Sequence, residues 1–242
     1  MEYAIKTIGL TKKYKDVTAV DNLNLEIKEG ELFSLLGVNG AGKTTTIKML
    51  STLTLPDNGD AIVSGESIIS SPHLVKERIG VSPQETAVAP SLSVKENLHL
   101  MCAVHGLKRE RILEKTEELS KALDLESVMQ RKAGKLSGGW QRRLSIAMAL
   151  VSDPKVLFLD EPTLGLDVIA RSELWDLIET LKGKTTIVLT THYMEEAEAL
   201  SDRLGVMKSG RLLFTGTVNE MKEKTGEDRI EDAFIKMIKE AK

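Results

Sequence analysis

The run Gly37-Val38-Asn39-Gly40-Ala41-Gly42-Lys43-Thr44-Thr45 fits the spacing G-x-x-x-x-G-K-[ST]. Its glycines let the backbone wrap closely enough for several N–H groups to face one anion, and Lys43 adds a full positive charge. Thr44 offers a hydroxyl to Mg²⁺. Phosphate binding is the chemistry these residues suit. Farther along, Asp160-Glu161 sets two carboxylates side by side; Asp160 can hold Mg²⁺ directly or through water, and Glu161 can polarise a water. Thr190-Thr191-His192 supplies an imidazole. A fourth group is Ser137-Gly138-Gly139, where a serine suited to capping a helix and two glycines leave N–H groups unpaired at the helix start, a second place for a phosphate.

These residues need elements that bring them together. Three short apolar runs, Leu32 to Leu36, Val156 to Leu159 and Thr186 to Leu189, read as fully buried parallel strands. The first runs straight into Gly37, the second ends at Asp160 and the third at Thr190. Helix-compatible segments follow each at Ile47 to Leu50, Ala170 to Leu181 and Met194 to Leu200. In an open parallel sheet ligands gather outside the carboxyl ends of the strands, so all three groups are expected along one edge. Leu23, Leu25 and Ile27 alternate with polar residues, and Asp57-Asn58-Gly59 and Ser209-Gly210 mark turns between antiparallel strands. Strand signals vanish from Glu85 to Val151, where helices are expected over Val94 to His105, Glu110 to Leu123 and Gln141 to Val151. The charged middle helix, with its Glu117/Lys121 pair, reads as a solvated face. Ile230, Ala233, Phe234, Met237, Ile238 and Ala241 form the stripe of an amphipathic helix that docks on the core.

Composition narrows the function. The chain has 242 residues, 41% hydrophobic and 29% charged, as soluble globular proteins do. Its net charge of -3 provides no field for nucleic acid, so no nucleic-acid partner is expected. The longest stretches free of charged residues, Leu32 to Gly42 and Asn97 to Leu107, fall well short of the about 20 apolar residues that span a bilayer. The N-terminus lacks the pattern of a secretory signal, which implies a cytoplasmic chain. Cys102, the single cysteine, reads as a small core hydrophobe, and four scattered histidines cannot build a structural zinc site.

With Leu136 to Arg143 lying between the phosphate loop and Asp160, the whole chain resembles an ATP-binding cassette (ABC) ATPase subunit. Gly37 to Thr44 resembles the Walker A loop, Leu136 to Trp140 the signature, Val156 to Asp160 the Walker B strand, Gly165-Leu166-Asp167 the D-loop and His192 the switch histidine. The resemblance further implies that Tyr14 stacks on adenine and that Gln84, the Q-loop glutamine, joins Thr44 and Asp160 around Mg²⁺. Ser137, Gly138, Gly139 and Asp167 would meet the ATP of a second subunit in a head-to-tail dimer. Glu161 would be the general base, with His192 and the partner's signature serine stabilising charge on the γ-phosphate. One departure is Trp140, where the family commonly has glutamine; with Ser137 and the glycine N–H groups retained, the ATP contact is expected to survive.

The fold so implied is an α/β P-loop NTPase with a mainly parallel central sheet flanked by helices. A RecA-like core with an antiparallel β layer would occupy 1–84 and 152–220, a helical subdomain 85–151 and an amphipathic helix 221–242. The implied function is ATP hydrolysis powering transport through separate membrane (permease) subunits, with the chain peripheral on the cytoplasmic face of the membrane. It would pair with itself or with a different ABC ATPase. Ile230-Glu231-Asp232-Ala233-Phe234 is similar to the tails of export-type cassettes of the ABC-2 group, which implies export. Other classes fit less well. A GTPase would carry an Asn-Lys-x-Asp motif, a DNA-maintenance relative would separate Lys43 from Asp160 with a long coiled coil, and a non-hydrolysing adaptor would be expected to lack Glu161 or His192.

Overall fold

A computed structural model describes residues 3–241; Met1, Glu2 and Lys242, the outer ends of the expected 1–84 and 221–242 segments, lie outside the described residues. The three apolar runs are strands β4 (Leu32–Gly37), β8 (Val156–Asp160) and β9 (Thr186–Thr191), and every residue in them is buried. Continuous apolar runs of this kind arise when both faces of a sheet are covered. Along β8 the period of two sends Leu157 and Leu159 into one core cluster, and Val156 and Phe158 into another.

The central sheet has six strands in the order β11 (Arg211–Gly216), β10 (Arg203–Lys208), β4, β9, β8, β7 (Ile79–Ser82). All neighbours are parallel except β10 and β11, which the expected Ser209-Gly210 turn joins as a hairpin. Thus β10 belongs to the parallel sheet as well as to a hairpin. Strand β7 was not legible from hydrophobicity: it is short, and Gly80 within it has no side chain because a Cβ there would lie 2.2 Å from the carbonyl oxygen of Ala149.

A second, wholly antiparallel layer contains β1 (Tyr3–Tyr14), β2 (Val17–Leu23), β3 (Glu26–Lys28), β5 (Asn58–Val63) and β6 (Glu66–Ser67). The expected turn at Asp57-Asn58-Gly59 is not a hairpin. Asn58 and Gly59 open β5 instead, and Asp57 accepts hydrogen bonds from the Lys13 N–H (2.6 Å) and Lys12 Nζ (3.2 Å) of β1. Gly59 has φ of 76°, and any Cβ there would strike Gly9 at the irregularity in the β1–β5 register. The reversal comes later, at Ser64-Gly65, both with positive φ, as a tight hairpin turn demands.

Helix α1 (Lys43–Leu50) and the antiparallel layer cover one face of the parallel sheet, and α2 (Pro72–Arg78) leads into β7. On the other face lie α3 (Val94–Val104), α4 (Arg109–Ala122), α5 (Gly138–Ala149) and α6 (Val168–Glu179). The stretch 85–151 has no core of its own: Leu98, Cys102, Leu119 and Leu144 share one cluster with Leu157 and Leu189 of the sheet. Burial pushes the Cys102 thiol pKa up, in keeping with an inert core residue. The Glu117/Lys121 pair forms at 2.6 Å on the outer face of α4. Helix α7 (Met194–Leu200) follows β9.

The C-terminal segment differs from the single helix expected over 221–242. It holds α8 (Val218–Thr225), started by a Thr217/Glu220 capping box and ended by Gly226, and then α9 (Ile230–Glu240). Ile230, Ala233, Phe234 and Met237 of α9 dock on Leu204 and Val206 of β10 and Met221 of α8, as the amphipathic stripe requires.

Candidate functional site

Parallel register brings the chemistry to one edge. Asp160 lies opposite Thr190, Leu36 opposite Thr191 and Ser82 opposite Leu159, so the chains leaving β4, β7, β8 and β9 emerge together. Between them is a cavity of about 550 Å³ lined by Asn39 to Thr45, Gln84, Glu161, Leu164 and His192, with Val17 and Ala19 of β2.

The loop before α1 is shaped by close approach of backbone to backbone. At Gly42, φ is 108° and a Cβ would lie 2.4 Å from the Ala19 carbonyl oxygen. Only glycine seats the loop beneath β2 in this way. Helix α1 begins at Lys43 with no side chain capping it, so the N–H groups of its first turn remain for a ligand. Lys43 is 5% exposed; its Nζ donates to the Gly37 carbonyl at 2.7 Å and pairs with Glu161 Oε1 at 3.3 Å.

Glu161 is the hub. Its second oxygen lies 2.7 Å from His192 Nδ1. A carboxylate oxygen accepts, so in this contact the proton sits on Nδ1, and Nε2 takes no part in it. Glu161 has φ of 50°, a left-handed conformation that costs roughly 1 kcal/mol or more in a non-glycine residue. Its N–H donates to both the carbonyl and the hydroxyl of Thr190, each at 3.1 Å, which holds that conformation.

Asp160 Oδ1 accepts from Thr44 Oγ1 at 3.1 Å and from Thr190 Oγ1 at 2.5 Å. Two oxygens bound side by side to an octahedral Mg²⁺ at 2.0–2.1 Å lie about 3 Å apart, so the Thr44 and Asp160 oxygens are spaced to share that cation. Among the described residues no group of three or more His, Cys, Asp or Glu could hold a metal. One carboxylate, a hydroxyl and an amide fit Mg²⁺, which takes its remaining ligands from water and phosphate.

Of the residues singled out in the sequence, Asn39 to Thr45, Gln84, Glu161 and His192 line the cavity. Gly37 and Asp160 support it from the strand ends, and Val38 stands exposed on the loop. Tyr14 does not line the cavity. It is half-exposed at the end of β1, opposite Val17, which does, and Lys12 Nζ sits 5.5 Å from its ring. Val17, Ala19 and Leu164 were missed, since nothing in their residue types signals phosphate chemistry and only the folded hairpin and loop place them here.

Ser137, Gly138, Gly139 and Asp167 do not line the cavity of their own chain. Ser137 holds the N-cap position of α5 without a side-chain capping bond, so its exposed hydroxyl is uncommitted. Asp167, by contrast, caps α6, accepting from the N–H groups of Ile169 and Ala170 at 3.0 and 2.9 Å. Trp140 packs against the main core cluster, and Arg143 stacks over its ring at 5.2 Å while bonding Asp124 and Glu173. A second crevice of about 430 Å³ includes Glu29, Arg78, Lys155 and Lys184; it carries neither a glycine loop nor the paired acids.

A family model described as ABC transporter matches residues 20–164. The daunorubicin resistance ATP-binding protein DrrA3 of Streptomyces coeruleorubidus is 42% identical over 229 residues, covering 94% of this chain and 72% of that protein. The probable multidrug ABC transporter ATP-binding protein YbhF of Escherichia coli (strain K12) is 37% identical over 243 residues, covering 98% of this chain and 42% of that one. Among solved structures, the dimeric post-hydrolysis state of an ATP-binding cassette bound to ADP and Pi superimposes with a TM-score of 0.79 at 28% identity, covering 88% of this chain and 98% of that one. An ATP binding subunit of an ABC transporter shares the fold with a TM-score of 0.85 at 24% identity, covering 97% of this chain and 99% of that one.

Proposed function

The chain belongs to the ABC transporter family as an ATP-binding subunit that hydrolyses ATP to power transport, and we propose that it drives export through separate membrane subunits. The observation that carries the site assignment is the convergence along one sheet edge of two bonded sets: Glu161 with Lys43 at 3.3 Å and His192 at 2.7 Å, and Asp160 with Thr44 at 3.1 Å. In this reading Lys43 and the N–H groups of Gly40 and of Gly42 to Thr45 hold the β- and γ-phosphates. Thr44, Asp160 and Gln84 would hold Mg²⁺, which would supply charge neutralisation at the phosphate oxygens. Glu161 accepts a proton from the water that attacks the γ-phosphorus, the bond to the bridging β-oxygen breaks, and ADP and phosphate result. His192 orients Glu161 through Nδ1 and stabilises charge on the γ-phosphate. Tyr14 stacks on adenine.

A second cassette completes each site with Ser137, Gly138, Gly139 and Asp167, and both half-sites being intact in this chain favours a second copy over a different cassette. The dimeric relative supports this reading. So does exposed apolar surface on this face: Val38 in the loop, Leu164 at the cavity, and Val168 and Ile169 on the helix that adjoins the signature glycines. Export rests on the names of the relatives, a daunorubicin resistance protein and a probable multidrug transporter subunit. None of the described helices is long and apolar enough to cross a membrane, so separate membrane subunits would carry the path and hold this chain at the cytoplasmic face. They would dock at the apolar cleft lined by Pro83, Ala87, Met101, His105 and Met148, beside the exposed Leu100 and Val104.

Glu161→Gln keeps the side chain's size and removes its basicity. Turnover is expected to fall by about 10³-fold with ATP affinity retained. Unchanged turnover in a phosphate-release assay would remove Glu161 from the role of base.

A further inference from the structure

Arg142 takes no part in the chemistry above, although it lies one helical turn into α5 from the signature and is 4% exposed. Its two terminal guanidinium nitrogens donate to successive carbonyls, Nη1 to Pro83 at 2.6 Å and Nη2 to Gln84 at 2.7 Å. A planar fork meets two adjacent acceptors where a lysine ammonium meets them as a point. Burial lowers the guanidinium's pKa, and the negative charges of Asp160 and Glu196 oppose that, so the cation has both hydrogen-bonded and ionic compensation.

The contact continues along the same face of α5. Ser145 Oγ lies 2.8 Å from Ser82 Oγ, and the Ala149 carbonyl sits so close to Gly80 that no side chain fits there. Residues 142, 145 and 149 form one helical stripe, and it meets the other chain segment at Gly80, at Ser82 and at Pro83-Gln84 in turn. Gln84 itself is exposed and lines the phosphate cavity. Beyond Ser82 the chain is outside any strand, and the Arg142 fork is the side-chain bond that fixes the backbone at Gln84.

From this arrangement we propose that Arg142 is a positioning residue: it fixes Gln84 to the signature helix, so that displacement of Ser137 to Gly139 by a partner is delivered to the amide at the cation site of the same chain. The inference rests on the assignment of Gln84 above. It gives one chain a mechanical link between its two half-sites, running from the start of α5 through a single side chain to the cavity wall.

A double-mutant cycle on the full chain tests it, with Arg142→Lys, Gln84→Ala and the combination measured for steady-state turnover, Mg²⁺ half-saturation and thermal midpoint. Lysine preserves the charge, so the variant is expected to fold, and the single ammonium cannot reproduce the fork. Arg142→Lys is expected to lower turnover by about 10-fold and raise the Mg²⁺ half-saturation by a similar factor. In the Gln84→Ala background the same change is expected to cost less than about twofold, because the group it positions is gone. Equal losses in both backgrounds would show a merely structural role and overturn the proposal, as would Arg142→Lys turnover within about twofold of wild type. If Gln84→Ala alone left turnover and Mg²⁺ dependence unchanged, the assignment of Gln84 would fall first.

Discussion

At the sheet edge, Lys43, Asp160, Glu161 and His192 are buried or half-buried; Glu161 engages Lys43 and His192, and Asp160 engages Thr44 and Thr190. At the start of α5, Ser137 and Gly138 are exposed, and the serine hydroxyl caps nothing. The first region is organised by its own chain; the second presents donors outward. Charges as buried as those of the sheet edge need fixed partners, so that half must be preorganised. Exposed neutral donors remain hydrated at little cost, so the other half can wait for a phosphate supplied from outside. On this contrast the chain carries two unlike half-sites, and the proposed function has another subunit complete the signature half.

Ser137→Ala sharpens the comparison most. If the hydroxyl acts only on a partner's nucleotide, turnover is expected to fall by about 10²-fold. The thermal midpoint is expected to stay within about 1 °C, because no capping bond is lost. Asp167→Ala is the counterpart: loss of its two capping bonds to α6 is expected to cost about 1 kcal/mol and lower the midpoint by about 2–4 °C. Calorimetry on both variants checks the pair. A large midpoint drop in Ser137→Ala would mean that the serine supports its own helix after all.

Trp140→Gln probes the seam between the halves with the smallest expected effect on activity. The indole packs on the core beneath Arg143. Restoring the family's usual residue is expected to leave turnover within about threefold while costing about 1–2 kcal/mol in unfolding experiments, from lost packing and the lost stacking of the guanidinium. A tenfold change in turnover with unaltered stability would instead put the indole at the nucleotide.

The sheet edge was the more legible region. Gly37 to Thr45, Asp160-Glu161 and His192 follow apolar runs whose burial on both faces is written in their composition, so strand, edge and chemistry could be read together. The signature helix was also readable from Ser137 and its glycines. What failed to show were features set by contact between backbones. Gly80 makes β7 look unlike a strand because α5 needs the space, and Asn58-Gly59 resembles a hairpin turn although it is a strand start crossing Gly9. Ala19 forms part of the cavity through its backbone, which no residue type announces. Arg142 reads as one of two adjacent arginines, and only the folded chain distinguishes its carbonyl partners from the acidic ones of Arg143.

The most direct test of the two-half account is the solution mass of Glu161→Gln, by light scattering after size exclusion, with ATP and Mg²⁺ and then with ADP and Mg²⁺. A species of twice the 26.6 kDa chain mass with ATP and a monomer with ADP is the predicted result, since in the proposed dimer the γ-phosphate would join the loop of one copy to the signature of the other. A monomer under both conditions, with ATP demonstrably bound, would contradict completion of the site by a second copy of this chain and turn the search to a different cassette.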